Sequence, residues 1–496
     1  MLKGLIRVLD WEQMTLLHAG ILRVLETTGL QIRGEFLLHA LADAGCRVDF
    51  RQRRAWFRPD FVEKQIAAQA GRYSLVRSSL WYPHCRSMPE QDVAWPDDFV
   101  VDFGHGAPWY ADYAQNRYRP ATLQDQVEMI RLGNALPEVK AVNAPFICSD
   151  FDPRLETIES ARALILNTGK PGWVGTSCGR EVKYLAELAA LATDGRPSVL
   201  RSQPPFFVHA YCTTSPLKLD PRSCEVLEQA LPHRFPVNFA SMPIMGSTTP
   251  VTPAGSVVVA GAEILGAITA ASLLAPDAFF YSTSITGEMD MKTTRVCYST
   301  PAAVLTDAAL HQLFRARYGL VHCVEPAYIE AKAPGLQASF MRIFRQLALG
   351  CTASLSLPIG LLDNGSAFSP VQAMLDLDTN RALYGFARGL EVNEDTMALD
   401  LINNLGFGER GSYLESEHTL EHFRSVVWDP LFLERRYRAE AEGLRGADEP
   451  LLRKADCGWR ELVASSAAGY EREPGFRAEV ERIVEAARRE LLTAPA

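Results

Sequence analysis

The sequence predicts an α/β protein built on a (β/α)8 TIM barrel with helical additions at both ends. Three observations lead there. Short runs rich in β-branched and aromatic residues fall at 99–103, 139–147, 172–177, 206–212, 236–242, 278–285, 320–324 and 352–357. Helical stretches such as 180–193, 256–275, 301–318 and 336–349 lie between them. After the first run the strand starts are about 30 to 40 residues apart, the length of one βα unit, and eight units in succession favour a closed barrel over an open doubly wound sheet. Neither a GxGxxG after a first strand nor a P-loop occurs, so the nucleotide-binding alternatives lose their usual signature.

Taken in order, residues 1–98 read as a helical N-terminal region. Leu16, Leu17, Ile21, Leu22, Val24 and Leu25 recur near a 3.6 period, and Gly29 stops that helix. A second helix spans 35–44, CRVDF and RRAWFRP suggest a small hairpin, and Arg58-Pro59-Asp60 opens a third helix. Residues 99–375 are the barrel core. Within it, 256–275 carries a single charge, Glu263, and by length alone could cross a membrane. Its wealth of Gly, Ala and Ser and the strand-like AFFYSTS behind it favour a buried barrel helix instead. Residues 376–496 turn to charged amphipathic helices, expected to pack on the barrel exterior because no long linker sets them apart.

Composition narrows the class. The chain has 496 residues with a formal net charge of -9 and no basic stripe, so no nucleic-acid partner is expected. Ten cysteines without a CxxC pair, behind an opening MLKGLIRVLDWEQM too broken by charge for a secretory signal, read as reduced thiols of a cytoplasmic protein with no membrane role.

In a barrel enzyme the reacting groups lie at the C-terminal ends of the strands. Those positions hold Asp102, His105, Asn143, Ser177, His209, Tyr211, Met242, Ser282, Ser284, Glu325 and Asp363. His209 with Cys212, and His322 with Cys323, bring no companions at ligand spacing, so no tightly bound metal is expected. Aromatic residues cluster at the strands: Trp109, Tyr110, Trp173, Phe206, Phe207, Tyr211, Phe279, Phe280 and Tyr281. Alternation turns roughly half of them to the helices, and the rest could cage a quaternary ammonium group through their ring quadrupoles. On the residues alone, a metal-assisted barrel lyase, a zinc-dependent thiol methyltransferase and a non-catalytic binder of methylated amines all stay open.

One segment is more specific. Between Gly246 and Gly319 the chain carries the loop Thr249-Pro250-Val251-Thr252 with Gly255, a small-residue helix with Glu263, and the loop Asp290-Met291-Lys292-Thr293. Two weaker matches, NTGKP at 167–171 and GSYLESEHTLEHFR at 411–424, support it. This pattern resembles the trimethylamine methyltransferase family, in its branch without pyrrolysine. The resemblance implies transfer of a methyl group from a quaternary or tertiary amine to Co(I) of a corrinoid carried by a partner protein. Tyr110, His209, Tyr211, Tyr281, Asp290, Lys292, Lys332 and Asp363 are the candidate substrate contacts, and Thr249 and Thr252 the candidates on the corrinoid side. The trimethylamine-specific members use pyrrolysine, so a betaine-like substrate is expected here and not trimethylamine itself. Leu357 stands where family members often carry histidine, and is expected to alter substrate contacts. A homo-oligomer is the default by base rate.

Overall fold

The structure, a computed structural model, describes residues 6–70, 100–195, 205–352, 356–387, 390–433, 448–466 and 470–493, apart from positions 210, 234 and 428. It is mixed α/β. The eight expected runs all contain strands: β1 (Val100–Phe103), β2 (Val139–Ala141), β3 (Gly172–Gly175), β4 (Phe206–His209, resumed at Tyr211–Cys212), β5 (Val237–Ser241), β6 (Phe280–Ser284), β7 (His322–Val324) and β8 (Ser356–Ile359). They are shorter than the runs that announced them; in the second, strand structure ends at Ala141, before Pro145, which lacks an N–H for a ladder.

All pairing among the eight is parallel, and it falls into three small sheets. β8 pairs with β1 and β1 with β2; β3 pairs with β4; Tyr211–Cys212, β5, β6 and β7 follow side by side. The last strand therefore lies beside the first. Val142 N–H donates to Pro171 O at 2.6 Å and Ala144 N–H to Trp173 O at 3.3 Å, tying the end of β2 to β3. Every residue of β5 and β6 is buried, as expected of parallel strands covered on both faces.

A helix follows each strand: α4 (Leu123–Ala135), α5 (Glu156–Asn167), α6 (Val182–Ala192), α7 (Pro221–Ala230), α8 (Pro253–Leu274), α9 (Pro301–Gln312), α10 (Leu336–Thr352) and α11 (Pro370–Ala387). Ahead of them come α1 (Trp11–Thr27), α2 (Glu35–Asp43), α3 (Pro59–Gln69) and the small hairpin of Arg47–Asp49 with Arg54–Trp56. The first three helices lie against α8. A Cβ on Gly261 would come within 2.5 Å of Ile21 Cδ1, and one on Gly266 within 2.4 Å of Leu30 Cδ1, so the missing side chains let the layers meet. This explains why α8 is apolar enough to cross a membrane yet lies mostly inside the protein: it is covered on both sides.

Two C-terminal helices pack on the helix layer. α12 (Glu449–Ser466) lies against α4 and α11, with Trp459 and Ala455 buried. α13 (Pro474–Thr493) lies against α5 and α6, held by Arg162–Glu481 at 2.6 Å and Lys183–Glu490 at 2.5 Å. Residues 390–427, three short helices and a 3-10 turn, differ: most of their large apolar side chains are open to solvent.

Candidate active site

Strand alternation divides the side chains of the parallel strands into two sets. On one face Phe103, Val174, Val237, Phe239, Phe280, Val324, Leu357 and Ile359 join the apolar core shared with the helices. Polar groups on that face are satisfied by the helices. Ser284 donates to Asp307 of α9 at 2.8 Å, and Ser241 donates to Glu263 of α8 at 2.7 Å. The Glu263 carboxylate also accepts from Thr213 at 2.7 Å, Ser215 at 2.9 Å and the Leu217 N–H at 2.8 Å, so it staples the loop after β4. His322 bridges Ser282 at 2.8 Å and Ser284 at 3.1 Å, and burial pushes its pKa down to about 3, which keeps it neutral.

The opposite face carries Trp173, Asn238, Tyr281, Thr283 and Cys323, none of which belongs to that core. Trp173 and Tyr281 rings lie 6.1 Å apart, and Phe279 stacks on Tyr281 at 5.7 Å. Thr283 donates to Asn238 Oδ1 at 3.1 Å. One residue past β7, in register with Cys323, stands Glu325. It is half-buried, and its carboxylate accepts the Ala327 N–H at 3.1 Å. Desolvation raises its pKa to about 7 in spite of the nearby Arg345 and Arg342 guanidinium groups. Asn143, just past β2, donates to Phe103 O, while its buried Oδ1 has no hydrogen-bond partner among the described residues.

Two arginines of α10 hold the ends of β7 and β8. Arg345 donates to Glu325 O at 2.9 Å and to Tyr298 O, and its guanidinium stands 3.5 Å from Asp307. Arg342 donates to Leu361 O at 2.6 Å and to Ala327 O, and stands 3.4 Å from Asp376. Asp376 in turn accepts the Gly360 N–H at 2.9 Å. Both guanidinium groups are fully buried, and burial lifts the pKa of Asp307 to about 6. The backbone that presents Glu325 is thus fixed by buried ion pairs. Sequence reasoning placed Glu325 at a strand end but missed this clamp. Its signal was the spacing of Arg342 and Arg345 on a helix with no other charge.

The sequence-derived candidates scatter around this face. Tyr281 is in the ring cluster. His209 and Tyr211 lie in strands, with side chains outside the described residues. Tyr110 does not join the ring cluster: it sits in the hairpin of Trp109–Asp112 with Arg117–Pro120, its ring under the Arg119 guanidinium at 4.2 Å. Lys332 and Asp363 bond to each other at the surface, which neutralises both. Asp290 accepts Lys292 N–H at 2.9 Å and Thr293 Oγ1–H at 2.5 Å in an exposed turn, while the Lys292 side chain projects into solvent. Thr249 is buried and bonds Ser256 at 3.0 Å, and Thr252 is the exposed N-cap residue of α8. Leu357 corrects the sequence reading: it is fully buried among core side chains on the helix-facing side, so its side chain is not a substrate contact. Among the described residues no three His, Cys, Asp or Glu side chains gather as metal ligands.

Comparison with known proteins places the chain. Residues 3–473 match the trimethylamine methyltransferase family. The trimethylamine methyltransferase of Desulfitobacterium hafniense (strain DSM 10664 / DCB-2) is 28% identical over 417 residues, covering 84% of this chain and 81% of that protein. A glycine betaine methyltransferase of Desulfitobacterium hafniense (strain Y51) is 24% identical over 432 residues, 86% of this chain and 87% of its own. Among solved structures, the monomethylamine methyltransferase of Methanosarcina barkeri aligns over 97% of this chain and 92% of its own at 11% identity, with a TM-score of 0.44.

Proposed function

The chain belongs to the trimethylamine methyltransferase family and is a methyltransferase; we propose that it takes a methyl group from a quaternary or tertiary methylated amine and passes it to a corrinoid on a separate protein, in the cytoplasm. The parallel order of β1 to β8, with β8 beside β1, supports a closed (β/α)8 barrel whose inner face is the pocket. The observation that carries the substrate reading is the cluster of the Trp173, Tyr281 and Phe279 rings on that face, with the Glu325 carboxylate further along it, past the end of β7.

A methylated ammonium has its charge spread over alkyl groups and offers few or no N–H donors. Ring quadrupoles and a nearby anion bind it without hydrogen bonds. Transfer breaks the N–CH3 bond, leaves the electron pair on nitrogen and releases a neutral amine, so a quaternary substrate needs no general acid. The corrinoid would supply the Co(I) nucleophile for an in-line displacement. Exposed Val251 and Met291, gathered around Gly246 at the strand ends, form an apolar rim that fits the face of a flat macrocycle. The protein's part is to hold the reacting methyl group toward that opening, where orientation supplies much of the rate. Because positive charge on nitrogen disappears in the transition state, Glu325 favours the bound substrate more than the reaction itself. The unpartnered Oδ1 of Asn143 is available to a substrate donor.

The test is incubation of the protein with reduced cobalamin, a corrinoid protein and a panel of betaines and methylamines, following Co(I) absorbance. Loss of Co(I) with a quaternary or tertiary amine supports the reading. Folded protein that consumes no Co(I) with any member contradicts it.

A further inference from the structure

We propose that a basic cleft on the N-terminal region binds a small, multiply charged oxyanion of the polyphosphate or polycarboxylate class. This inference does not rest on the catalytic reading. The cleft has a volume of about 820 Å³, within the range of small-molecule sites. Arg33, Arg51, Arg53, Arg54 and Lys218 line it, and among the described residues no carboxylate does. The chain as a whole carries more acids than bases, 59 against 50, so five cations in one cleft run against its composition. Arg33, Arg51, Arg53 and Lys218 make no side-chain hydrogen bond or ion pair among the described residues.

The floor of the cleft is the outer face of a four-stranded sheet, in the order Lys218–Leu219, Leu30–Ile32, Arg54–Trp56 and Arg47–Asp49. The inner face of that sheet belongs to the core: Leu219, Leu30, Ile32 and Ala55 are buried. Register then sets the outer face. Gln31 stands between Lys218 on one neighbour and Arg54 on the other. Arg33, whose N–H continues the ladder to Leu219 O at 2.9 Å, falls on the same side as Gln31. Opposite charges on neighbouring strands would stabilise such a face, and gathered like charges do the reverse. Asp49, in register with Arg54, is an acid on this face, but its carboxylate accepts the Gln52 N–H at 2.9 Å and closes the hairpin turn. The same turn holds Arg53 at φ 51°, in the left-handed region that favours glycine.

The walls are set by bonds of the fold itself, which lowers the cost of binding. Glu263 accepts the Leu217 N–H and the Ser215 hydroxyl, which fixes the loop carrying Lys218, and the Gln31 N–H donates to Leu217 O at 3.0 Å. Arg54 donates to Thr28 O at 2.6 Å, and its guanidinium lies over the Trp56 ring at 4.7 Å, with Arg47 over the same ring at 3.8 Å. That ring is taken up by the two arginines and is not offered to a nucleobase. What remains are guanidinium forks and an ammonium, which suit phosphate and carboxylate oxygens. A single such group meets one or two of them, and a ligand with two or three groups meets the whole set. Arg53 and Arg54 are half-buried in the recess, and a cleft lined by one sign of charge focuses its field on a ligand small enough to enter.

The experiment is isothermal titration calorimetry on the full chain in about 150 mM salt, which screens attraction from distant charges. The probes are tripolyphosphate, citrate, orthophosphate and decaglutamate. Tripolyphosphate or citrate should bind one per chain with Kd below about 100 µM, and the tighter of the two identifies the class. Orthophosphate should bind at least about tenfold more weakly. Lys218→Glu and Arg51→Glu, both at exposed positions, should each weaken the better ligand at least about tenfold. Lys64→Glu, the same charge change on α3 outside the cleft, should weaken it less than about twofold. Far-UV circular dichroism of the three variants should match wild type. Binding of neither tripolyphosphate nor citrate, equal losses in cleft and control variants, or orthophosphate binding as tightly as the larger anions overturns the proposal. Binding of decaglutamate alone would make an acidic protein segment the occupant and overturns it as well.

Discussion

α8 and α10 are both apolar helices of the outer layer, and they solve opposite problems. α8 is apolar all round, and the N-terminal helices cover its outer side within the same chain, at contacts tight enough to demand glycine at 261 and 266. α10 keeps its arginines inside to fix the ends of β7 and β8 and leaves Leu336 and Phe340 exposed. An apolar helix face is thus covered by its own chain in one case and left open in the other. The inward face of each helix serves the site: Glu263 staples the loop after β4, and Arg345 holds the backbone of Glu325.

The comparison can be broken at several points. Arg345→Met should have the largest effect, destabilising the fold by about 3–5 kcal/mol, because it leaves the buried Asp307 without its counter-ion; an unchanged denaturation midpoint would show that the inward charge of α10 holds nothing. Ile21→Ala removes the side chain lying on Gly261 and should cost about 2–4 kcal/mol by the same measurement. If it costs much less, the N-terminal helices are not the cover that α8 requires. Leu357→His, which restores the residue type frequent in the family, should destabilise by about 2 kcal/mol through burial of a polar ring. Steady-state kinetics should show KM unchanged, and a clear drop in KM would return Leu357 to the substrate site.

Smaller effects sharpen the site. Glu325 has its pKa raised from the ordinary 4.5 to about 7, so its carboxyl is mostly protonated below that pH and ionised above it. A cationic substrate should bind more tightly as pH rises from 6 to 8. Glu325→Gln should flatten that profile and raise KM about tenfold at pH 8, one or two kcal/mol of lost attraction, with kcat raised because most of that attraction is lost from the ground state. Lys292→Ala should change either constant by less than about twofold, since the side chain is solvated.

How much of this was legible follows from the physics of each part. The eight strands could be read because β-branched and aromatic runs recur at βα spacing, and α8 because a helix with one charge, small residues and a strand behind it has few places to go. Tyr281 was within reach because alternation offers only two faces. The clamp was not, since Arg342 and Asp376 meet only once β7 and β8 are adjacent. Lys332 and Asp363, 31 residues apart, looked like two binding groups and proved to be one neutral pair. Tyr110 looked like a strand-end ring and lies in a hairpin that no spacing announced. The segment at 390–427 read as amphipathic helix packed on the body, because sequence shows an apolar face but not whether the body covers it.

The central claim is that the inner face recognises the charge of a methylated ammonium. Isothermal titration calorimetry with a trimethylammonium ligand and with its neutral tert-butyl isostere tests it most directly, in wild type and in Trp173→Leu. The charged ligand should bind at least tenfold more tightly to wild type, and the substitution should remove most of that preference. Equal binding of the two ligands to wild type would contradict the account.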